Sequence, residues 1–234
     1  MVKKKWLSFR GTGSGLQVIE EKDDEWGSVT QKSSELVEDE SGDYYSIKIT
    51  YKMPGIFKQD RKIKDNLFSQ IEIPNAGQML QSPGSPQIPQ EGLFVALPDD
   101  AEDIEVEVIN SISKEYEMHN DILPVPEPTR DAPPEMKKDE TYEKDKYYPG
   151  TLFKNLGERK IGEVNALQIM VYPVQYNPKS RKIDVYSEIQ LEVRYKIQKS
   201  KFRGGFRSTP GSGSKKKRVP KMYKDQILNL RNVM

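Results

Sequence analysis

The 234-residue chain has no cysteine and a single histidine, His119. Without cysteine there is no disulfide, no thiolate metal site and no thiol nucleophile within these residues. One histidine, with no Gly-x-Ser-x-Gly phrase, leaves little from which to build a nucleophile–base pair, so His119 reads as a surface residue and no catalytic residue is assigned. No stretch approaches the ~18 apolar residues of a membrane-spanning helix. The basic residues 1–5 are followed by Trp6-Leu7-Ser8-Phe9-Arg10 and then by GTGSG, not by the roughly 7–15 apolar residues of a signal peptide. The expectation is a chain with neither a membrane span nor a leader among its own residues. Hydrophobic residues make up 35% and charged ones 31%. That balance is more polar than a packed domain usually shows, so part of the chain is expected to lie outside any core.

The charge is unevenly placed. Residues 201–234 hold ten Lys or Arg and one acidic residue, a net +9. Because the whole chain carries only +1, residues 1–200 carry −8. An acidic body therefore precedes a basic tail. The run Lys215-Lys216-Lys217-Arg218 would suit a phosphate backbone through counterion release. It follows GSGS, however, lacks interleaved aromatics and is tied to a body that repels the same polymer, so no nucleic-acid partner is expected. It reads instead as an exposed linker. Lys and Arg in Gly/Ser-rich chain are easily cut by a protease of basic specificity, which makes Arg203, Arg207, Lys215, Lys216, Lys217 and Arg218 candidates for processing. Beyond them Tyr223, Ile227, Leu228 and Leu230 suggest a short amphipathic segment, read as the start of a following domain.

What the chain has in abundance is strand pattern. Ile189, Leu191, Val193, Tyr195 and Ile197 alternate with Gln190, Glu192, Arg194 and Lys196, the period of two that marks a half-buried antiparallel strand. Val164–Tyr172 reads as a strand, Asn177-Pro178-Lys179-Ser180 as a turn and Lys182–Ile197 as one or two further strands, together a hairpin at the heart of a sheet, with Pro173 as a bulge or edge position. Upstream, Tyr45, Ile47, Ile49 and Tyr51 alternate until Pro54-Gly55 ends their strand. Further strands fit Leu16–Glu20, Asn66–Ile73 and Leu93–Leu97, and one in which Ile104, Val106 and Val108 face inward. A weaker strand is placed within residues 21–43. The fold class is therefore all-β, an antiparallel β-sandwich over residues 1–200 followed by a basic tail over 201–234.

Between the strands lie features with a chemical and a plain reading. Asp99, Asp100, Glu102 and Asp103 could offer oxygens to a hard cation, but they lack the regular Asp-x-Asp-x-Asp-Gly spacing and read as a solvated turn; no metal or cofactor is expected. GTGSG near residue 11 lacks the Lys-Ser/Thr of a phosphate loop and reads as a flexible turn. Residues 119–149 hold Pro124, Pro126, Pro128, Pro133, Pro134 and Pro149, expected to forbid ladder pairing and to favour extended, polyproline-like chain. A connector of that length is usually functional or disordered.

Four phrases in series carry a family resemblance. PGSPQIP (residues 83–89), LFVALPDDAEDIEVEVI, the proline-rich DILPVPEPTRDAPPE, and YYPG with VYPVQYNP, KSRK and IDVYSEIQLEVRY stand in one order over residues 45–197. The chain resembles the N-terminal prodomain of gingipain-type cysteine peptidases. That resemblance implies a non-catalytic domain that assists the folding of a Cys/His peptidase domain following in cis beyond Met234. It also implies latency until the link is cut, and a secreted or cell-envelope location. Latency could be imposed by the proline-rich arm, residues 123–149, because preset φ angles lower the entropy lost on docking. Within it Arg130, Lys137 and Lys138 are basic side chains long enough to reach an acidic specificity pocket. The alternative is a cell-surface binding or adhesion module, with Tyr142, Tyr147, Tyr148, Tyr172 and Tyr176 as stacking surfaces for carbohydrate.

Overall fold

The computed structural model describes residues 4–8, 17–19, 31–38, 44–74, 78–128, 135–197, 218–224 and 226–232. Within them the strands are, in chain order, β1 (Lys5–Ser8), β2 (Gln17–Ile19), β3 (Gln31–Glu38), β4 (Tyr44–Lys52), β5 (Gly55–Ile63), β6 (Asn66–Glu72), β7 (Gln78–Met79), β8 (Pro89–Leu97), β9 (Ala101–Glu117), β10 (Phe153–Ile161), β11 (Val164–Val171), β12 (Val174–Asn177), β13 (Lys182–Ile197) and β14 (Ile227–Leu228). Among the described residues helix is confined to single 3-10 turns at Glu140–Glu143, Lys221–Tyr223 and Leu230–Asn232. The all-β expectation holds.

Two sheets form the sandwich. One runs β12-β13-β4-β3, with β9 on the other edge of β13; the second runs β10-β11-β8-β14, with β7 also on β8. A smaller sheet, β2-β1-β5-β6, closes one end. Alternation explains the first sheet. Ile189, Leu191, Val193 and Tyr195 of β13, with Ile47, Ile49 and Tyr51 of β4, are buried against Leu93, Val95 and Leu97 of β8 and Leu167, Ile169 and Val171 of β11. Ile56, Ile71 and Ile73 extend that core into the third sheet. One charged group spans the core: Glu91 of β8 accepts from the Tyr51 hydroxyl at 3.0 Å and pairs with Lys32 of β3 at 2.5 Å. Burial, and then the Glu91 charge, push the Tyr51 hydroxyl far above its ordinary pKa, so it stays a donor.

Several details differ from what the pattern led one to expect. Val164–Tyr172 and the strand from Lys182 do not form one hairpin, because the chain changes sheets at Tyr172-Pro173 and the hairpin in the first sheet is β12–β13. Pro54-Gly55 ends β4, yet β5 begins at once on the neighbouring sheet and pairs with β6 around Lys64-Asp65, with Lys64 at φ +53°. A turn without Asn-Gly or Asp-Gly gives no hairpin signal in sequence. Val108 is exposed, since β9 is an edge strand whose middle, residues 107–113, lies outside the core.

One further element is added by residues 218–224 and 226–232, which lie on the second sheet. β14 pairs in parallel with β8, Ile227 against Phe94 and Leu228 against Val95. Val219 and Ile227 are buried in a second apolar cluster with Ala96, Ile161, Val164 and Ala166, and Phe94, Tyr223 and Leu230 pack around it. A strand of two residues is too short to show any period.

Candidate functional site

The proline-rich arm is not a free strand of chain. Leaving β9, the backbone is held at Met118, whose N–H donates to the Arg181 carbonyl at 2.7 Å. Ile122, Leu123, Pro124 and Val125 are then buried between β6 and residues 84–87. The six prolines were expected to forbid regular ladder pairing, and the described residues of the arm pair only through isolated bridges, whose donors the spacing of three prolines preserves. Pro124, Pro126 and Pro128 delete every second N–H and leave those of Leu123, Val125 and Glu127, and all three donate: to Ser69 at 2.9 Å, to Ser85 at 2.8 Å and to Glu135 at 3.0 Å. Ser69 also donates to the Asp121 carbonyl at 2.8 Å, Gln87 to that of Leu123 at 2.8 Å and Gly84 to that of Val125 at 2.9 Å.

A second leg returns beside the first. The Asp139 N–H donates to the Gly84 carbonyl at 3.0 Å, and its carboxylate caps the 3-10 turn by accepting from the Thr141 N–H at 2.8 Å. Gly84 stands at φ +83°, and a Cβ there would lie 3.0 Å from the Asp139 Cβ, so backbone angle and space both require glycine. The Tyr142 hydroxyl reaches back to the Ile122 carbonyl at 2.6 Å. Both legs are thus stitched to each other and to the sandwich, and the segment between them is closed at its base by the Glu127–Glu135 bond.

Charge is concentrated at that base. Asp121 accepts from Lys138 at 2.5 Å and from the Tyr176 hydroxyl at 3.0 Å, with the Arg181 Nε at 3.3 Å. Burial would raise its pKa, but the hydrogen bonds from Lys138 and Tyr176 and the charges of Lys138 and Arg181 outweigh it and hold the carboxyl below its ordinary value. The Lys138 ammonium also lies over the Tyr142 ring at 5.2 Å and the Phe68 ring at 5.6 Å. Lys137 pairs with Glu135 at 2.6 Å on the surface. Arg130 lies outside the described residues, in the stretch between Pro128 and Glu135.

The other sequence candidates are scattered. His119 is exposed beside this base, and Asp99, Asp100, Glu102 and Asp103 lie on and beside the turn into β9, where Asp103 pairs with Lys196 at 2.8 Å. Arg203, Arg207, Lys215, Lys216 and Lys217 lie outside the described residues. Arg218 is exposed, with its backbone held by Glu163. The tyrosines do not form a stacking surface. Tyr172 and Tyr176 are buried, and the hydroxyls of Tyr142, Tyr147 and Tyr148 are held by Ile122, Glu115 and Ser85. Asp121, Gly84 and Tyr142 were missed as positioning residues, because only the fold brings them together. Their signal was Pro83-Gly84, which opens the PGSPQIP phrase of the family resemblance.

The comparisons agree with this architecture. The family described as Propeptide_C25 matches residues 32–205. No curated protein matches. Among solved structures, the chain is similar to one from a complex of Porphyromonas gingivalis RgpB pro- and mature domains, at 18% identity and a TM-score of 0.61, covering 85% of this chain and 98% of that one. It is also similar to one from work on the zymogenic latency of gingipain K from Porphyromonas gingivalis, at 17% identity and a TM-score of 0.53, covering 73% of this chain and 100% of that one. At such identities the likeness concerns the fold. The match over residues 32–205 spans the sandwich and its arm, and on it the chain belongs to the C25 propeptide family, the non-catalytic prodomains of gingipain-type cysteine peptidases.

Proposed function

We propose that this prodomain assists the folding of a cysteine peptidase domain carried in cis beyond Met234 and keeps it latent until the connection is cut. The observation that carries this reading is the family match across residues 32–205. The fold shared with a prodomain solved in complex with its mature domain supports it. The parent protein works outside the cell or in its envelope, where such peptidases act.

The arm supplies the plug. Its two legs are fixed by backbone bonds as far as Glu127 and Glu135, so the chain on either side of the plug is held before docking, which lowers the entropy that the legs lose. Of the three basic residues proposed for the plug, Lys138 already serves Asp121, and Lys137 already serves Glu135. Arg130 is left as the side chain that enters an acidic specificity pocket, where a planar guanidinium can pair a carboxylate twice. Arg203, Arg207, Lys215, Lys216, Lys217 and Arg218 then form the stretch in which the connection is processed, between β13 and the segment seated on β8.

The test is inhibition of the parent's catalytic domain by the free prodomain in trans. Arg130→Ala should weaken inhibition by ~2–5 kcal/mol, as expected for loss of a buried, paired Arg, while Lys137→Ala leaves it within about twofold. Inhibition unchanged by Arg130→Ala would place the plug elsewhere.

A further inference from the structure

The segment 218–232, two 3-10 turns flanking the short β14, is seated on a site built to receive it. Its entry is fixed at the β10–β11 turn, where the Glu163 N–H donates to the Arg218 carbonyl at 2.8 Å and the Glu163 carboxylate accepts from the Arg218 N–H at 2.7 Å. Gly162 in that turn stands at φ +63°, and a Cβ on it would lie 2.3 Å from the Arg218 carbonyl oxygen. Any other residue would collide with the seated segment. Its exit is fixed by Asn229, whose side chain accepts from the Ala96 N–H and donates to the Ala96 carbonyl, both at 3.0 Å. The amide thus copies the backbone of a partner strand and continues the β14 ladder by one residue. Between the two ends, Val219 and Ile227 are buried on Ala96, Val164 and Ala166. These small side chains leave room on the outer face of the sheet.

We propose that the outer face and edge of β8 form a peptide-binding site whose ligand is residues 218–232, and that this attachment outlasts the covalent link through residues 198–217. A tether of that length supplies an effective concentration of about millimolar. Two fixed ends, two ladder residues and two buried apolar side chains hold the segment without it. A cut at any Lys or Arg from Arg203 to Lys217 therefore nicks the chain without separating its parts. Whatever follows the segment stays registered against the second sheet until the segment itself is displaced. The inference needs no peptidase, so it stands or falls apart from the latency reading.

The test places a site-specific protease sequence between Gly211 and Ser214 of the whole chain, cuts it, and follows both fragments by native size exclusion and mass measurement. The C-terminal fragment should co-elute with the body at concentrations about a hundredfold below the millimolar value of the tether. A synthetic peptide of residues 218–232 in excess should exchange with it. Asn229→Gly keeps a residue suited to φ +48° but deletes both side-chain bonds, and should weaken retention about tenfold. Ile227→Asp should abolish it. Thermal unfolding of each uncut variant checks that the body is folded. Separation of the unmodified fragments on cutting, or retention unaffected by both substitutions, would overturn the proposal.

Discussion

The two sheets of the sandwich bury their strands in different ways. In the first, β13 turns Ile189, Leu191 and Val193 inward and leaves Arg194 exposed and Gln190 and Glu192 half-buried, so it reads as a regular alternation. In the second, Leu93, Val95 and Leu97 face the same core, while Phe94 and Ala96 face a second cluster on the other side. A strand covered on both faces reads as an unbroken apolar run, LFVAL, and such a run states that something must lie on its far side. Here the cover comes from Val219, Tyr223, Ile227 and Leu230, more than a hundred residues downstream. A broken alternation is therefore a statement about a missing partner.

That contrast can be broken by substitution. Ala96→Asp puts a carboxylate into the dry interface between β8 and the terminal segment, and should cost more than about 3 kcal/mol in chemical unfolding, with the segment displaced. Were the outer face of β8 open to water as that of β13 is, the cost would fall within about 0.5 kcal/mol. Leu191→Ala, on the fully buried inner face of β13, should cost ~2–5 kcal/mol by the same measurement. Gln190→Ala, its neighbour on the opposite face, belongs at the end of the scale and should lie within about 0.5 kcal/mol.

Between these extremes stands the base of the arm. Its pKa lowered, the Asp121 carboxyl contributes stability that is fully present above the unfolded value near ~4 and is lost as pH falls through the lower folded value. Acid titration of the melting temperature should therefore fall more steeply in the unmodified chain than in Asp121→Asn, which has no such proton to bind. Parallel curves would show that Lys138 and Tyr176 do not hold the ionised form.

Much of the fold was legible in the sequence because alternation, turn residues and proline placement pointed the same way. β4, β6, β11 and β13 were read within a residue or two, and the all-β class follows from them. What escaped has a common cause. β5, with its Lys64-Asp65 turn, and β14, with two residues, carry no local signature, and only pairing with distant chain makes them strands. The arm was legible as special but not as buried. Its prolines were counted, whereas their spacing was what mattered: Leu123, Val125 and Glu127 kept the N–H groups that fasten it. Asp121 and Gly84 became visible only once the two legs were seen side by side.

The most direct test of the central claim is the inhibition constant of the free prodomain against the catalytic domain of its parent peptidase, measured beside Arg130→Ala. Tight inhibition that Arg130→Ala weakens by ~2–5 kcal/mol, with the variant melting as the unmodified chain does, is the result expected of a latency domain that plugs the cleft with its arm. A correctly folded prodomain that leaves the peptidase fully active would contradict it.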